Sequence, residues 1–196
     1  MNPGAFFSSA GAVDLVIVLY FIGFFVLGFA QGTIRRVIGL GSILFSFLFA
    51  MNLGQTIGPF LADNWTQFSR EYAFMIAYGT IFSASAIALA LVVQSYYRPQ
   101  QLFQKARFAD EILGGVLGIV QGALIFGSVL VILDTFFLIP GIPPDPQELP
   151  FLRDLWNALN ETQFAIFFRN TVIPAAFVLF GLFVPDGIKA TYPVNR

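Results

Sequence analysis

The sequence predicts an all-α polytopic membrane protein, with four transmembrane helices and a C-terminal interfacial or re-entrant helical segment. Hydrophobic residues make up 57% of the 196 residues, charged residues make up only 11%, and the mean hydropathy is strongly positive. A water-soluble domain carries more charge and less apolar surface. Four stretches are apolar enough to cross a hydrocarbon core, which takes about 20 helical residues. They are Leu15 to Gln31, Val37 to Leu53, Tyr72 to Val93 and Ile112 to Ile132.

The first two predicted spans are joined by a very short turn. A single helix from Leu15 to Leu53 would be about 58 Å long at 1.5 Å per residue, nearly twice the thickness of a bilayer core. The chain must therefore reverse inside this stretch. We place the reversal at Gly32, because glycine tolerates the backbone angles of a helix end. Arg35 and Arg36 are then expected to begin the second helix and to extend toward the lipid head groups.

The fourth span carries a ladder of glycines. Gly114, Gly118 and Gly122 follow one another at intervals of four residues, which puts them on one helix face. Without side chains, such a face lets a second helix approach closely. We expect the ladder to form the tightest helix contact of the chain, and the alternative is a pore-lining surface.

Two aspartates open spans. Asp14 precedes the first span and Asp110 precedes the glycine ladder. A carboxylate at a helix start binds free backbone amides and complements the helix dipole, so both residues are expected to act as N-caps. An ion-binding or proton-carrying role is the alternative. A third aspartate, Asp134, follows the fourth span and is expected to be an interfacial residue.

A short sequence occurs once in each half of the chain. The form GxxQG appears from Gly28 to Gly32 and again from Gly118 to Gly122, and it contains Gln31 and Gln121. Internal duplication and chance both remain open as explanations. Because an amide inside a span seeks a partner across a helix interface, Gln121 is expected to join two helices. A polar path through the membrane is the alternative.

Prolines separate the spans from the C-terminal region. Residues 139–150 contain five prolines, so no helix is expected to pass through them. This divides the chain into a transmembrane domain (1–138), a linker (139–150) and an amphipathic C-terminal segment (151–196). Within that segment, the apolar run from Val172 to Val184 has 13 residues and includes Pro174. Its short length favours an interfacial or re-entrant helix.

The positions of basic residues predict the orientation. Short loops rich in lysine and arginine stay in the cytoplasm, which places the N-terminus outside. The connections after the first and third spans carry Arg35, Arg36, Arg98, Lys105 and Arg107, whereas the N-terminal tail carries no basic residue.

Missing residue types exclude much chemistry. The chain has no cysteine and no histidine, which excludes disulfides, thiolate nucleophiles and the usual zinc sites. An intramembrane serine protease needs a histidine or lysine base, and neither lysine lies in a span. We therefore predict no enzyme, no catalytic residue, no metal and no cofactor. The net charge of -1 also gives no basis for nucleic-acid binding.

These motifs resemble those of the colicin V production protein family. Asp14 at the mouth of the first span, Gly28 and Gly32 at its end, and the run from Asp110 to Gly122 are similar to the family pattern. The family often has arginine before the last glycine of each motif, where this chain has glutamine. The resemblance covers roughly residues 13 to 135.

The resemblance implies a bacterial inner-membrane protein linked to colicin V toxin production or export and to envelope functions. The implied partners are the lipid bilayer and other membrane helices, in a homo-oligomer or a larger assembly. An alternative function is a structural transmembrane subunit of a larger membrane protein complex.

Overall fold

The first four helices follow the hydropathy pattern. The computed structural model describes residues 11–65, 67–96, 106–138 and 148–192. Each of the first four helices is long and apolar enough to cross a membrane, and each contains one predicted span. No strand occurs in these residues, so the all-α fold class is confirmed. The helices are α1 (Ala12–Gln31), α2 (Thr33–Asn64), α3 (Arg70–Tyr96) and α4 (Arg107–Phe137).

Gly32 is the reversal point between α1 and α2, as predicted. Its φ is 75°, which lies in the left-handed region. Glycine adopts this region without the steric cost that a Cβ imposes. The Gly32 amide donates to the Gly28 carbonyl at 3.0 Å and closes the last turn of α1. A single residue therefore ends one helix and starts the next.

Helix α2 extends well beyond its predicted span. Its 32 residues make it about 48 Å long. Gly54 and Gly58 in its second half leave space for the rings of Tyr78 and Phe74 of α3, and a Cβ at either glycine would overlap the facing ring. Because of this close antiparallel contact with α3, α2 continues beyond the end that hydropathy alone predicts.

Helix α4 is the centre of the bundle. It packs antiparallel against α1 and contacts both α2 and α3. Leu130 and Phe136 of α4 are almost completely buried, together with Tyr72 and Met75 of α3. These large side chains form the core at the end of the bundle where α4 finishes.

Three further helices lie in the described part of the C-terminal region, residues 148–192. They are α5 (Pro150–Asn160), α6 (Gln163–Phe180) and α7 (Asp186–Thr191). The predicted Pro-rich linker lies outside the described residues except for its last three. Helix α6 begins nine residues before the predicted apolar run, because the Thr162 side chain caps it by accepting from the Ala165 amide at 3.1 Å. A π-helical turn, Phe168–Val172, precedes Pro174. It relieves the clash between the proline ring and the carbonyl four residues earlier.

The count of four spans is not confirmed, because α6 is also long and apolar enough to cross a membrane. The contacts of α6 and of the residues that follow it nevertheless bring the chain back to the end of the bundle where α6 begins. The Gln163 amide donates to Asp14 at the start of α1, and the Tyr192 hydroxyl donates to Asp134 near the end of α4. Since α1 and α4 are antiparallel, both aspartates lie at the same end. Residues 163–192 therefore enter and leave the bundle at one end, which is the geometry of a re-entrant segment.

Candidate functional site

The glycine ladder lies directly against α1. A Cβ added at Gly114 would be 2.5 Å from the Gly28 carbonyl oxygen and 2.8 Å from the Gly32 carbonyl carbon. A Cβ at Gly118 would overlap the Phe24 carbonyl oxygen. Real Cβ atoms do not approach backbone so closely, so the two helices are in backbone contact and leave no open channel between them.

The last glycine of the ladder also contacts α1. A Cβ at Gly122 would be 3.0 Å from the ring of Phe24. The Gly122 carbonyl accepts a hydrogen bond from the Tyr20 hydroxyl at 2.9 Å. The predicted packing residues of both helices therefore lie in one interface, which the Tyr20 hydrogen bond helps to hold in register.

Asp14 binds the starts of two helices. The residue is 3% exposed, and its Oδ2 accepts from the Gly11 amide at 3.0 Å, as in a capping box. Its Oδ1 accepts from the Gln163 amide at 3.1 Å, where α6 begins. One carboxylate therefore fixes the C-terminal segment to the start of α1.

Asp110 binds the start of a helix other than its own. The residue is 3% exposed, and its Oδ1 accepts from the Thr33 amide at 3.4 Å. The Thr33 hydroxyl in turn donates to the Asp110 carbonyl at 3.0 Å. The carboxylate thus faces the positive end of the α2 dipole. Asp14 and Asp110 each accept from the backbone amide at the start of another helix, and they lie at opposite ends of the antiparallel pair of α1 and α4.

Gln31 and Gln121 line one polar cavity, so the two GxxQG sequences meet in space. The cavity has a volume of about 160 Å³ and lies between α2, α3 and α4 near the start of α2. We call it the arginine cavity. Its polar lining consists of Gln31, Arg35, Arg36, Ser42, Gln94 and Gln121.

Arg36 points into the protein, so the expectation that it extends to the head groups was wrong. It is 5% exposed, and its Nη1 donates to Gln121 Oε1 at 2.6 Å. Gly39 makes this arrangement possible, because a Cβ there would be 2.9 Å from Gln121 Nε2. The Gln121 amide therefore joins α4 to α2. Within the described residues, Arg36 Nε has no hydrogen-bond partner and Arg36 forms no ion pair.

Asp134 lies near the end of α4, where the sequence predicts an interfacial residue, and its side chain is fully buried within the protein. It is 0% exposed and accepts from Arg169 Nε at 2.8 Å and Nη2 at 2.6 Å. Trp156 Nε1 donates to it at 3.0 Å, and the Tyr192 hydroxyl donates as well. Burial, and next the neighbouring carboxylate, raise the pKa of the Tyr192 hydroxyl far above its usual value, so it remains a donor. This network ties the end of α4 to α5, to α6 and to the residue that follows α7.

Sequence reasoning missed both arginine contacts. Arg169 and Tyr192 lie 35 and 58 residues from Asp134, so no local spacing indicates that they meet. Arg36 left a weak signal, because two basic residues lie three and four positions after the first GxxQG sequence. Among the described residues, no three acidic side chains come together in a way that could hold a metal ion.

The fold and these contacts define a class of polytopic helical membrane protein, with a glycine-packed pair of helices and a polar cavity at one end. Residues 13–183 match the family described as Colicin V production protein. The chain belongs to this family. It is similar to the Colicin V production protein homolog of Haemophilus influenzae, with 34% identity over 128 residues that cover 63% of this chain and 74% of the relative. No solved structure matches the chain.

Proposed function

We propose that the chain is a non-enzymatic protein of the bacterial inner membrane that acts in toxin production or export and in related envelope functions. Family membership and the name of the Haemophilus influenzae relative support the link to colicin V. The arginine cavity is the observation on which the proposal rests. An ionisable side chain that is buried in a membrane helix is costly to keep and usually serves a function, and Arg36, at the start of α2, forms no ion pair within the described residues.

The non-enzymatic assignment is supported by what the buried carboxylates contact. Asp14 and Asp110 accept hydrogen bonds from backbone amides, and Asp134 is bound by Arg169. A pair of catalytic carboxylates would have to face each other, but Asp14 and Asp110 lie at opposite ends of the bundle. We assign all three to holding helices together.

For the orientation, we propose that the N-terminus lies outside and that the arginine cavity opens toward the cytoplasm. The basic residues of the first and third connections support this, because positively charged loops stay in the cytoplasm. The end that contains Asp14 and Asp134 then faces outward.

Complementation tests the proposed role in toxin production. In a colicin V-producing strain that lacks its own family member, this chain should restore the zone of growth inhibition around colonies. Arg36→Gln should reduce that zone at an equal amount of protein in the membrane. Arg107→Gln is the matched control and should restore it fully, because Arg107 is on the same side and its side chain is 75% exposed. A correctly inserted chain that restores nothing would contradict the proposal.

The alternative function, a structural subunit of a larger membrane complex, is favoured by a groove on α3. The groove has a volume of about 500 Å³ and lies beside α4 and α5, and its α3 wall includes Gly79, Ser83 and Ala84. Small residues on one face let a partner helix pack closely. Purification in mild detergent, followed by measurement of the particle mass, tests this function. A monomeric particle would contradict it, and a second protein in constant ratio would support it.

A further inference from the structure

We propose that the arginine cavity is a binding site for a phosphate-type oxyanion, supplied either by a lipid head group or by free phosphate. The proposal goes beyond a role in toxin production and does not depend on it. It rests on the charge, the free donors and the position of the cavity.

The first argument is charge. Arg35 and Arg36 both line the cavity, and the start of α2 adds the positive end of a helix dipole. Asp110 is the nearby acidic residue, but its carboxylate is bound to Thr33 and makes no hydrogen bond to Arg36 in the described residues. A buried charge without a partner is strongly destabilising. An anion in the cavity would supply the missing partner.

The second argument is the set of free donors. Arg36 Nη1 is used by Gln121, whereas Arg36 Nε has no hydrogen-bond partner in the part of the chain that the structure describes. The Ser42 hydroxyl donates to the Ile38 carbonyl, so it is already used. The amide groups of Gln31 and Gln94 add donors that carry no competing charge. A guanidinium with neighbouring amides fits the several oxygens of a phosphate group, which it can bind in a bidentate manner.

The third argument is position and size. Gln31 is the last residue of α1 and Gln94 lies near the end of α3, so the cavity begins where the spans end. It continues inward to Ile43, about 12 Å along α2 from Arg35. Its volume of about 160 Å³ is many times the roughly 15 Å³ needed for one water. Basic pockets between spans on the cytoplasmic side bind phosphate-bearing head groups.

Thermal unfolding of the purified full chain tests the proposal. The protein is reconstituted in neutral phosphatidylcholine nanodiscs and titrated with inorganic phosphate, against chloride at equal ionic strength. In a second arm, the nanodiscs contain phosphatidylglycerol instead. Stabilisation by phosphate alone identifies a free anion, and stabilisation by phosphatidylglycerol alone identifies a head group. No stabilisation in either arm would overturn the proposal.

Variants show whether any stabilisation comes from the cavity. Arg36→Gln should weaken the apparent affinity for the effective anion by at least about tenfold, since it removes a charged hydrogen bond. Arg107→Gln removes one positive charge from the same side and should leave the affinity unchanged. If Arg36→Gln does not fold, Arg35→Gln replaces it and should also weaken binding, although less. If the wild type and the Arg36→Gln variant (or Arg35→Gln in its place) bind the anion with equal affinity, the site is refuted.

Discussion

The three buried aspartates are compensated by different partners. Asp14 and Asp110 accept from backbone amides at helix starts, where the dipole amounts to roughly half a positive charge. Asp134 faces the full charge of Arg169 and is bound by two of its nitrogens. Losing a capping carboxylate costs about 1 kcal/mol. Leaving a buried charge unpaired costs more, so Asp134 should be the most sensitive of the three.

Asp134→Asn should therefore destabilise the protein by about 3 kcal/mol, because it leaves Arg169, whose side chain is only 12% exposed, without its counter-charge. Thermal or denaturant unfolding in detergent measures this. The double replacement Asp134→Leu with Arg169→Met should recover only part of the loss, because apolar groups replace a buried ion pair with little cost, whereas Trp156 and Tyr192 lose the acceptor of their hydrogen bonds.

The control for this prediction is an exposed ion pair. Glu111→Gln breaks the contact with Arg107, whose side chain is 75% exposed, and should cost only about 0.3 to 0.5 kcal/mol. A cost for Asp134→Asn as small as this would mean that water reaches the network and that the pair does not hold the C-terminal segment.

At the residue scale, sequence reasoning identified the polar residues better than their partners. A carboxylate at a span start indicates a capping contact, because any helix start offers free amides. That Asp110 would bind Thr33, 77 residues away, depends on which helices become neighbours. Arg36 shows the limit most clearly: at a span end an arginine can extend outward or turn inward, and the gap at Gly39 decides between them.

Helices α1 and α4 lie in backbone contact because the glycines of the ladder have no side chains. Gly118→Leu should destabilise the protein by about 1 to 3 kcal/mol or more, because the added branch meets the Phe24 backbone. Unfolding in detergent measures the change. Backbone cannot move aside as a flexible side chain can, so the two helices would have to separate.

Gly23 is the matched control on α1. A Cβ there meets no atom of the described residues within 4 Å, so Gly23→Leu should be neutral or slightly stabilising, since leucine favours the helix over glycine by roughly 0.7 kcal/mol. Equal stability of the Gly118 and Gly23 variants would show that the ladder faces lipid and not α1.

At the element scale, hydropathy located the four spans, but it did not set their full length. Apolar composition ends at Leu53, whereas α2 continues to Asn64 because Gly54 and Gly58 hold the rings of α3. Helix α6 was predicted too short for a related reason. The polar residues Arg169 to Thr171 separate its first apolar residues from the predicted run, and the Thr162 cap and the π turn decide where it begins and how it passes Pro174.

The whole molecule has two unlike ends. One end contains the arginine cavity, and the other contains the Asp134 network with the returning C-terminal segment. Among the described residues, the buried Arg36 without an ion pair lies at the first end, and the Arg169–Asp134 ion pair lies at the second. This difference between the two ends depends on the antiparallel arrangement of α1 and α4, so it is a property of the whole fold.

Single-cysteine labelling from either side of the membrane tests this arrangement, and the cysteine-free chain suits it. Asp63→Cys lies at the exposed end of α2 and should react with a membrane-impermeant maleimide from outside, whereas Arg107→Cys should react from the cytoplasm. Asp186→Cys, at a side chain that is 98% exposed, should react from the same side as Asp63→Cys if residues 163–192 return to the end they leave. Labelling of Asp186→Cys from the cytoplasm would make α6 a fifth span. Labelling of Asp63→Cys from the cytoplasm would invert the orientation.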